Sequence, residues 1–296
     1  MKVSIAIPFF NSGDHLELAI LSVLAQTHQD WELILLDDGS TDDSLKIARK
    51  YADLDDRIRV LSDGQNRKLP YRLNQVTMLA QYDLIARMDA DDLMATDRIQ
   101  RQVEFLKRNS DFDLVTTGVC SINKKNEVVG ARVPTVSYQE LTLEKMFRGQ
   151  HEIVHASILA KKSWYLRNKY DVKIERAQDY ELWIRAFLAN DLKIGYLSYL
   201  GYYYREDLGI TKDKLLKTYK IGWIIIDKFS PNLDNVLQKK IILLAKSLVI
   251  NFIFLFKLEG YLQQRGLNSK IDDSLVNEVS LNIKKITKLK QLINLQ

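Results

Sequence analysis

An α/β fold, built on a mainly parallel sheet flanked by helices and continued by an α-helical C-terminal extension, is what this sequence predicts. Three observations lead there. Short, β-branched apolar runs alternate with segments of helical spacing through the first hundred residues. Those runs end in polar or acidic residues, where open parallel sheets bind their ligands. Beyond residue 209 the strand-like runs stop and a lysine-rich helical pattern takes over.

Taken in order, KVSIAIPFF, WELILLDDGS, RIRVLSD and DLIARMDADD read as strands, and HLELAILSVLAQ, DDSLKIARKYA and YRLNQVTMLAQ as the helices between them. DRIQRQVEFLKRN follows as a helix, FDLVTTGVCSIN as a strand, and KKNEVVGARV as a short excursion. EIVHASILA, apolar and partly β-branched, reads as a strand. QDYELWIRAFLAN is an amphipathic helix carrying Tyr180, Trp183, Ile184 and Phe187 on one side, and KIGYLSYLGYYYR returns as a strand. The expected division is a catalytic domain over residues 1–209 and a basic helical extension over 210–296.

Charge follows that division. Residues 210–296 hold 15 Lys and Arg against 7 Asp and Glu, a net +8, while residues 1–209 carry −3. A basic tail suits nucleic acid, an anionic membrane surface, or simply a solvated face. In the tail, KKIILLAKSLVINFIFLFK contains an apolar-dominated run of 16 residues, Ile241 to Phe256, broken by Lys246 and Asn251. That is short of the roughly 20 apolar residues a membrane span needs, so the segment is expected to be buried or to lie in an interface. SLNIKKITKLKQLINL places Ile283, Ile286, Leu289 and Ile293 on one face, with Lys284, Lys285 and Lys288 largely elsewhere. Such a helix either rests on anionic lipid or packs on its own domain. The single cysteine, Cys120, excludes an internal disulfide framework and fits a reducing compartment. MKVSIAIPFF is too short an apolar run for a signal peptide, so the expected location is cytoplasmic.

Chemistry-bearing residues gather at strand ends. LLDDGSTDDS opens with Asp37 and Asp38 before a helix start that Ser40 or Thr41 could cap. ARMDADDLM offers Asp89, Asp91 and Asp92, whose mutual repulsion a cation would relieve. Aspartates two apart suit Mg²⁺ or Mn²⁺, hard cations that also bridge diphosphates. Asp179 opens the QDYELWIR helix, as a residue stabilising its N-terminus or as a general base held on a rigid element.

HEIVH, residues 151–155, matches the zinc-peptidase pattern, which works only on a helix. On a strand His151 and His155 share a side but stand about 13 Å apart, too far for one zinc. The other histidines are His15 and His28, both upstream.

VSIAIPFFN, LLDDGSTDDS, RMDADD followed by DRI, and AQDYELWIR occur in that order over about 180 residues. In this ordered set the chain resembles a family 2 glycosyltransferase of the GT-A fold. The resemblance implies that Pro8, Phe10 and Asn11 line the nucleotide pocket, and that Asp38 accepts the N3–H of a uracil- or thymine-type base. It implies that Asn66 lines the same pocket, and that Asp89 and Asp91 hold Mn²⁺ or Mg²⁺ and the sugar diphosphate. Asp179 would take the acceptor's proton in one inverting displacement, and Arg205, in a segment like the family's Tyr-Arg, would reach a phosphate. Apart from the resemblance, His155 is either a structural residue or a contact to the diphosphate. The implied partners are a nucleotide-sugar donor and a glycan or lipid-linked glycan acceptor, with no nucleic acid, at the inner face of a cytoplasmic membrane. Three departures stand out: Gln178 replaces the usual glutamate before Asp179, NRKLPYRLN lacks the glycine often found after its asparagine, and YYYREDLGIT lacks the later histidine.

Neither G-x-G-x-x-G nor a P-loop is present, which disfavours a dinucleotide oxidoreductase or a P-loop enzyme. A sugar nucleotidyltransferase would share the acids but normally brings a glycine-rich basic first loop, unlike PFFNSGDHL. A membrane- or nucleic-acid-binding module without catalysis is the alternative from another class.

Overall fold

The computed structural model describes residues 1–134, 141–206, 211–256, 258 and 272–293. The chain forms two compact units, Met1–Glu206 together with Ile271–Gln296, and Asp207–Lys270.

The first unit is built on one sheet. Its strands are β1 (Val3–Phe9), β2 (Trp31–Asp37), β3 (Ile58–Ser62), β4 (Leu84–Arg87), β5 (Leu93–Met94), β6 (Leu114–Ile122), β7 (Val128–Arg132), β8 (Leu159–Lys161) and β9 (Ile194–Arg205). They lie in the order β3-β2-β1-β4-β8-β6-β9-β5, with β7 paired to β6. β1, β2 and β4 are buried along their whole length, which is why they read as unbroken apolar runs rather than alternating ones. β3, β2, β1 and β4 are mutually parallel, as expected. Past β4 the sheet is mixed: β8 runs antiparallel to both β4 and β6, and β6 is parallel to β9.

Helices α1 (Leu16–Leu24), α2 (Ser44–Ala52) and α4 (Arg98–Arg108) cover the face that carries Val3, Ile5, Ile7, Leu33 and Leu35. The helix α3 (Leu69–Leu79) packs against β1, β2 and α6 (Lys162–Arg167). The short α5 (Leu143–Phe147) joins α7 (Gln178–Leu188), where the Tyr180 hydroxyl donates to Phe147 O at 2.6 Å. α4 also buries a polar stripe one turn long. Arg98 Nη2 donates to Arg87 O (3.0 Å), and Gln102 Nε2 donates to Val115 O (3.1 Å) and Ser157 O (2.7 Å). The i, i+4 spacing puts both side chains on one face, so a single helix fastens β4, β6 and the 155–157 turn.

Two sequence expectations change. EIVHASILA is not one strand: His155–Ser157 form a 3₁₀ turn and only Leu159–Lys161 pair in the sheet. Its apolar residues are buried because the turn sits under β4 and β6, and period-2 patterning had no part in it. The division at residue 209 holds for only one end of the extension, since the helix over Asp273–Ile293 belongs to the first unit. Ile286 is fully buried there, Asn282 Oδ1 accepts from the Thr96 hydroxyl at 2.7 Å, and Lys290 Nζ lies 2.6 Å from Glu17 Oε2. Its apolar face therefore packs on its own domain.

The second unit contains α8 (Lys212–Lys228) and α9 (Val236–Leu255), packed on each other; the final helix is α10 (Asp273–Ile293). α9 is not a buried helix: Leu237, Ile241, Leu244, Leu248, Phe252 and Leu255 are exposed. Among the described residues no helix is long and apolar enough to cross a membrane.

Candidate active site

β1 has β2 on one side and β4 on the other, so the chain reverses its winding direction at β1. The crevice at the carboxyl ends of these strands is the topological switch point where open α/β sheets take ligands. Phe9 is paired with Asp37 and Ala6 with Arg87, so Asp38 and Asp89 flank the end of β1. Two strand spacings separate them by about 10 Å.

The Asp38 side is tied together by polar side chains acting on backbone. Asn11, in the left-handed region at φ 48°, accepts Thr41 N–H on Oδ1 at 2.8 Å and donates its own N–H to Ser40 Oγ at 3.1 Å. Asp38 is buried and accepts from Arg67 N (2.7 Å), Lys68 N (3.1 Å) and Arg72 Nε (2.7 Å). Arg72, 1% exposed, also donates to Asp63 Oδ1 (2.6 Å), Gln65 O (2.5 Å) and Gln75 Oε1 (2.8 Å). Burial opposes its charge, but Asp63 and Asp38 outweigh that and raise its pKa; in return Arg72 holds the Asp63 carboxyl far below its ordinary value. Gly39 makes the loop possible. It sits at φ 78°, and a Cβ there would lie 2.9 Å from Gln65 C and 3.0 Å from Asn66 N. Pro8 is buried; Phe10 and the Asn66 side chain are exposed at the mouth.

On the other side of β1 the acidic turn is braced. The Tyr202 hydroxyl accepts Asp89 N–H at 3.0 Å and donates to Asp92 Oδ2 at 2.7 Å, while Asp92 Oδ1 accepts Arg205 N–H at 2.7 Å. Burial, then the charges of Asp89 and Asp91, raise the Asp92 pKa well above the ordinary carboxylate range. Asp91 is displaced upward as well, by loss of solvent and then by Asp89. Arg87 is buried and reaches Asp89 Oδ1 through Nη2 at 2.7 Å. Arg205 is engaged elsewhere than expected: it donates to Asp91 O (2.8 Å), Asn123 O (3.0 Å) and Asn126 Oδ1 (2.7 Å). It clamps the turn from behind.

Asp179 stands in the first turn of α7 with its side chain 37% exposed, enough to meet a ligand. Burial raises its pKa; Arg87 opposes that and Asp89 adds to it, so the three groups share one electrostatic neighbourhood. His155 Nδ1 is 3.9 Å from Asp179 Oδ2, and Nε2 is 2.7 Å from the Tyr170 hydroxyl. Burial, helped by Arg87, drives the His155 pKa well below its ordinary value and so favours the neutral ring. Tyr170 is fixed in turn, its N–H donating to Asn74 Oδ1 (2.9 Å) and its carbonyl accepting from Asn74 Nδ2 (2.9 Å). His151 faces away: its carbonyl accepts from the Tyr196 hydroxyl at 2.7 Å, and its Nδ1 accepts from Ile153 N at 3.1 Å. With HEIVH on a bend and a 3₁₀ turn, the helical setting of a zinc peptidase is absent.

Among the described residues no group of three His, Cys, Asp or Glu side chains is arranged to hold a metal alone. Asp89 and Asp91 nonetheless fit a hard divalent cation. Their oxygens are of the right class, and the crowding that lifts Asp91 is the repulsion a cation relieves. Two carboxylates leave several coordination positions for a diphosphate and water.

Sequence reasoning missed Arg87, the buried cation that pairs with Asp89, Arg98, the buried cation behind it, and Arg72. The available signals were slight: a charged residue closing the apolar strand Leu84–Arg87, and Arg98 one turn before Gln102.

The family described as Glycosyl transferase family 2 matches residues 4–165. The chain is 32% identical to the putative glycosyltransferase EpsE of Bacillus subtilis (strain 168) over 274 residues, 91% of this chain and 96% of that one. It is 28% identical over 189 residues to the O-antigen biosynthesis glycosyltransferase WbnJ of Escherichia coli, covering 62% and 70% of the two chains. Among solved structures, S. aureus TarS 1-349 in complex with UDP superposes with a TM-score of 0.57 at 19% identity, covering 84% of this chain and 71% of that one. The mannosyltransferase PcManGT of Pyrobaculum calidifontis, in complex with GDP-Man and Mn²⁺, gives 0.55 at 14% identity, covering 100% and 88%. At these identities the structural likeness is one of fold.

Proposed function

The chain belongs to glycosyl transferase family 2, and from that membership we propose an inverting transfer from a UDP- or dTDP-linked sugar to a hydroxyl of a glycan or lipid-linked glycan. The setting is bacterial surface-polysaccharide synthesis, the role in which O-antigen relatives such as WbnJ are named. One observation carries the reading: Asp179, Arg87 and Asp89 interact electrostatically across the open end of the parallel sheet, beside the Asp38 loop.

In this reading the nucleoside lies over the end of β1 against Phe10 and Asn11. Asp38 Oδ2 takes only the Lys68 N–H among its described donors, which leaves acceptor capacity for the N3–H of a uracil or thymine base. Mn²⁺ or Mg²⁺ held by Asp89 and Asp91 would neutralise the departing diphosphate. Asp179, ionised, takes the proton from the acceptor hydroxyl as that oxygen attacks the anomeric carbon. Its elevated pKa makes it a stronger base than a free carboxylate while leaving it on a rigid helix. His155 borders it as a neutral ring and adds no positive charge to the base. Arg205, spent on the backbone of the acidic turn, acts through Asp91 and Asp92 rather than on phosphate.

A panel of UDP-, dTDP- and GDP-sugars, read by thermal shift with and without Mn²⁺ and followed by transfer assays, tests this. Donor at a hundred times its Kd stabilises the fold by about 2.7 kcal/mol. Metal-dependent stabilisation by a UDP- or dTDP-sugar is expected. Equal stabilisation by the GDP-sugar would remove the assigned role of Asp38, and binding without metal would remove that of Asp89 and Asp91.

A further inference from the structure

The second unit exposes an apolar surface that its own fold leaves uncovered. α8 and α9 bury Ile225, Ile226, Phe229 and Ile250. On α9, Leu237, Ile241, Leu244, Leu248, Phe252 and Leu255 remain exposed, the last at 74%, and Ile242, Val249 and Phe256 are exposed beside them. At 100° per residue these nine side chains fill one continuous arc of about 160° along a helix roughly 30 Å long. Lys239 and Lys246 border the arc on one edge. Lys240 borders it on the other, paired with Asp227 and lying 5.0 Å from the Trp223 ring centroid.

Charge is concentrated in the same place. Residues 207–270 contain 11 Lys and Arg against 5 Asp and Glu, a net +6, whereas the whole chain carries only +5. The rest of the protein is therefore close to neutral, and the positive excess belongs to the unit with the apolar ridge.

We propose that this side of α9 is a surface for an anionic lipid bilayer, the helix lying in the plane of the interface. Leu237, Ile241, Leu244, Leu248, Phe252 and Leu255 would enter the acyl boundary, with Lys239 and Lys246 at the headgroup phosphates. The arc runs the length of one helix and carries lysines along its edges, a charge pattern that complements an anionic bilayer surface. Lys246 in mid-helix disfavours a span, and among the described residues no helix is long and apolar enough to cross a membrane. Basic edges around a wide apolar face are the pattern of interfacial helices. A second copy of the chain would cover the same arc only by bringing two units of +6 together. The inference extends the reading of a lipid-linked acceptor and is measured apart from it, because vesicles need contain neither donor nor acceptor.

The experiment is co-sedimentation of the full chain with vesicles of phosphatidylcholine alone and of phosphatidylcholine with 30% phosphatidylglycerol, at about 0.1 and 1 M salt. Binding to the anionic vesicles that falls with salt is expected. The pair Leu248→Glu and Phe252→Glu should weaken it at least tenfold. Lys239→Glu with Lys246→Glu keeps the apolar face and should lose on the order of fivefold per lysine. Far-UV circular dichroism and metal-dependent donor thermal shift should be unchanged in both, which separates this surface from the active site. Absence of vesicle binding by the wild type, or binding that survives both double substitutions, overturns the proposal. So does a dimer in light scattering that Leu248→Glu with Phe252→Glu converts to monomer, since the ridge would then be occupied by a second copy.

Discussion

Replacing Asp179 by Asn separates the two things a carboxylate at a helix start can do. The substitution is nearly isosteric and removes the proton acceptor. A positioned base contributes about 10²- to 10⁴-fold, so kcat should fall by that factor, which is roughly 2.7–5.5 kcal/mol of transition-state stabilisation. Donor binding should persist, because the Asp38 loop and the acidic turn are held by other residues. Stability responds to two opposing effects. Losing the charge at the N-terminus of α7 costs about 0.3–1 kcal/mol of dipole interaction. Against that, the folded pKa of Asp179 lies above the ordinary value, so the fold disfavours its ionised form and a neutral amide removes the penalty. The net change in Tm should stay within about 2–4 °C, the shift a 1 kcal/mol effect produces in a chain of this size class. Its pH course follows from the sign of the shift. Wild type gains on the Asn variant as pH falls through the raised folded pKa, and the gain is complete below the unfolded value. Stopped-time transfer assays and calorimetry at several pH values measure all three quantities. Near-full turnover in the Asn variant, or a large drop in Tm with turnover intact, would show that Asp179 serves the helix and not the reaction.

Other consequences are as direct. Arg72→Met leaves Asp38 and Asp63 without their shared buried cation and should cost about 3–5 kcal/mol in urea unfolding, with weaker nucleotide binding. Gly39→Ala pushes a methyl against the Gln65–Asn66 backbone at a positive φ; it should lose on the order of 1–3 kcal/mol and raise the donor KM more than it lowers kcat. The acid limb of the kcat–pH profile should lie above the ordinary carboxylate range because burial lifts Asp179, and His155→Gln should leave that limb in place because the imidazole is already neutral. Chelation should abolish transfer and added Mn²⁺ restore it; activity that resists chelators would release Asp89 and Asp91 from the metal.

Much of this site was legible because parallel strands announce their ends. A buried strand must be apolar, so the first acid after it marks the rim of the sheet, and Asp38 and Asp89 fall there. What the letters hid was tertiary. Arg87 and Arg98 look like ordinary charges until the fold buries them, Arg87 against Asp89 and Arg98 against the Arg87 carbonyl. EIVHASILA is apolar because it is covered from two sides, and coverage does not distinguish a 3₁₀ turn from a strand. The face of α10 was visible as a stripe, yet periodicity names a face and never its partner, which proved to be α1 and not lipid.

That partnership makes the first unit discontinuous in sequence, with Asp207–Lys270 interposed before α10 completes it. Ile286 and the Lys290–Glu17 ion pair can form only once the intervening segment has been synthesised. Until then the surface of α1 that receives α10 stands open to solvent on the nascent chain. That surface is completed late in synthesis, and in the interval its apolar side chains are open to aggregation or to a chaperone.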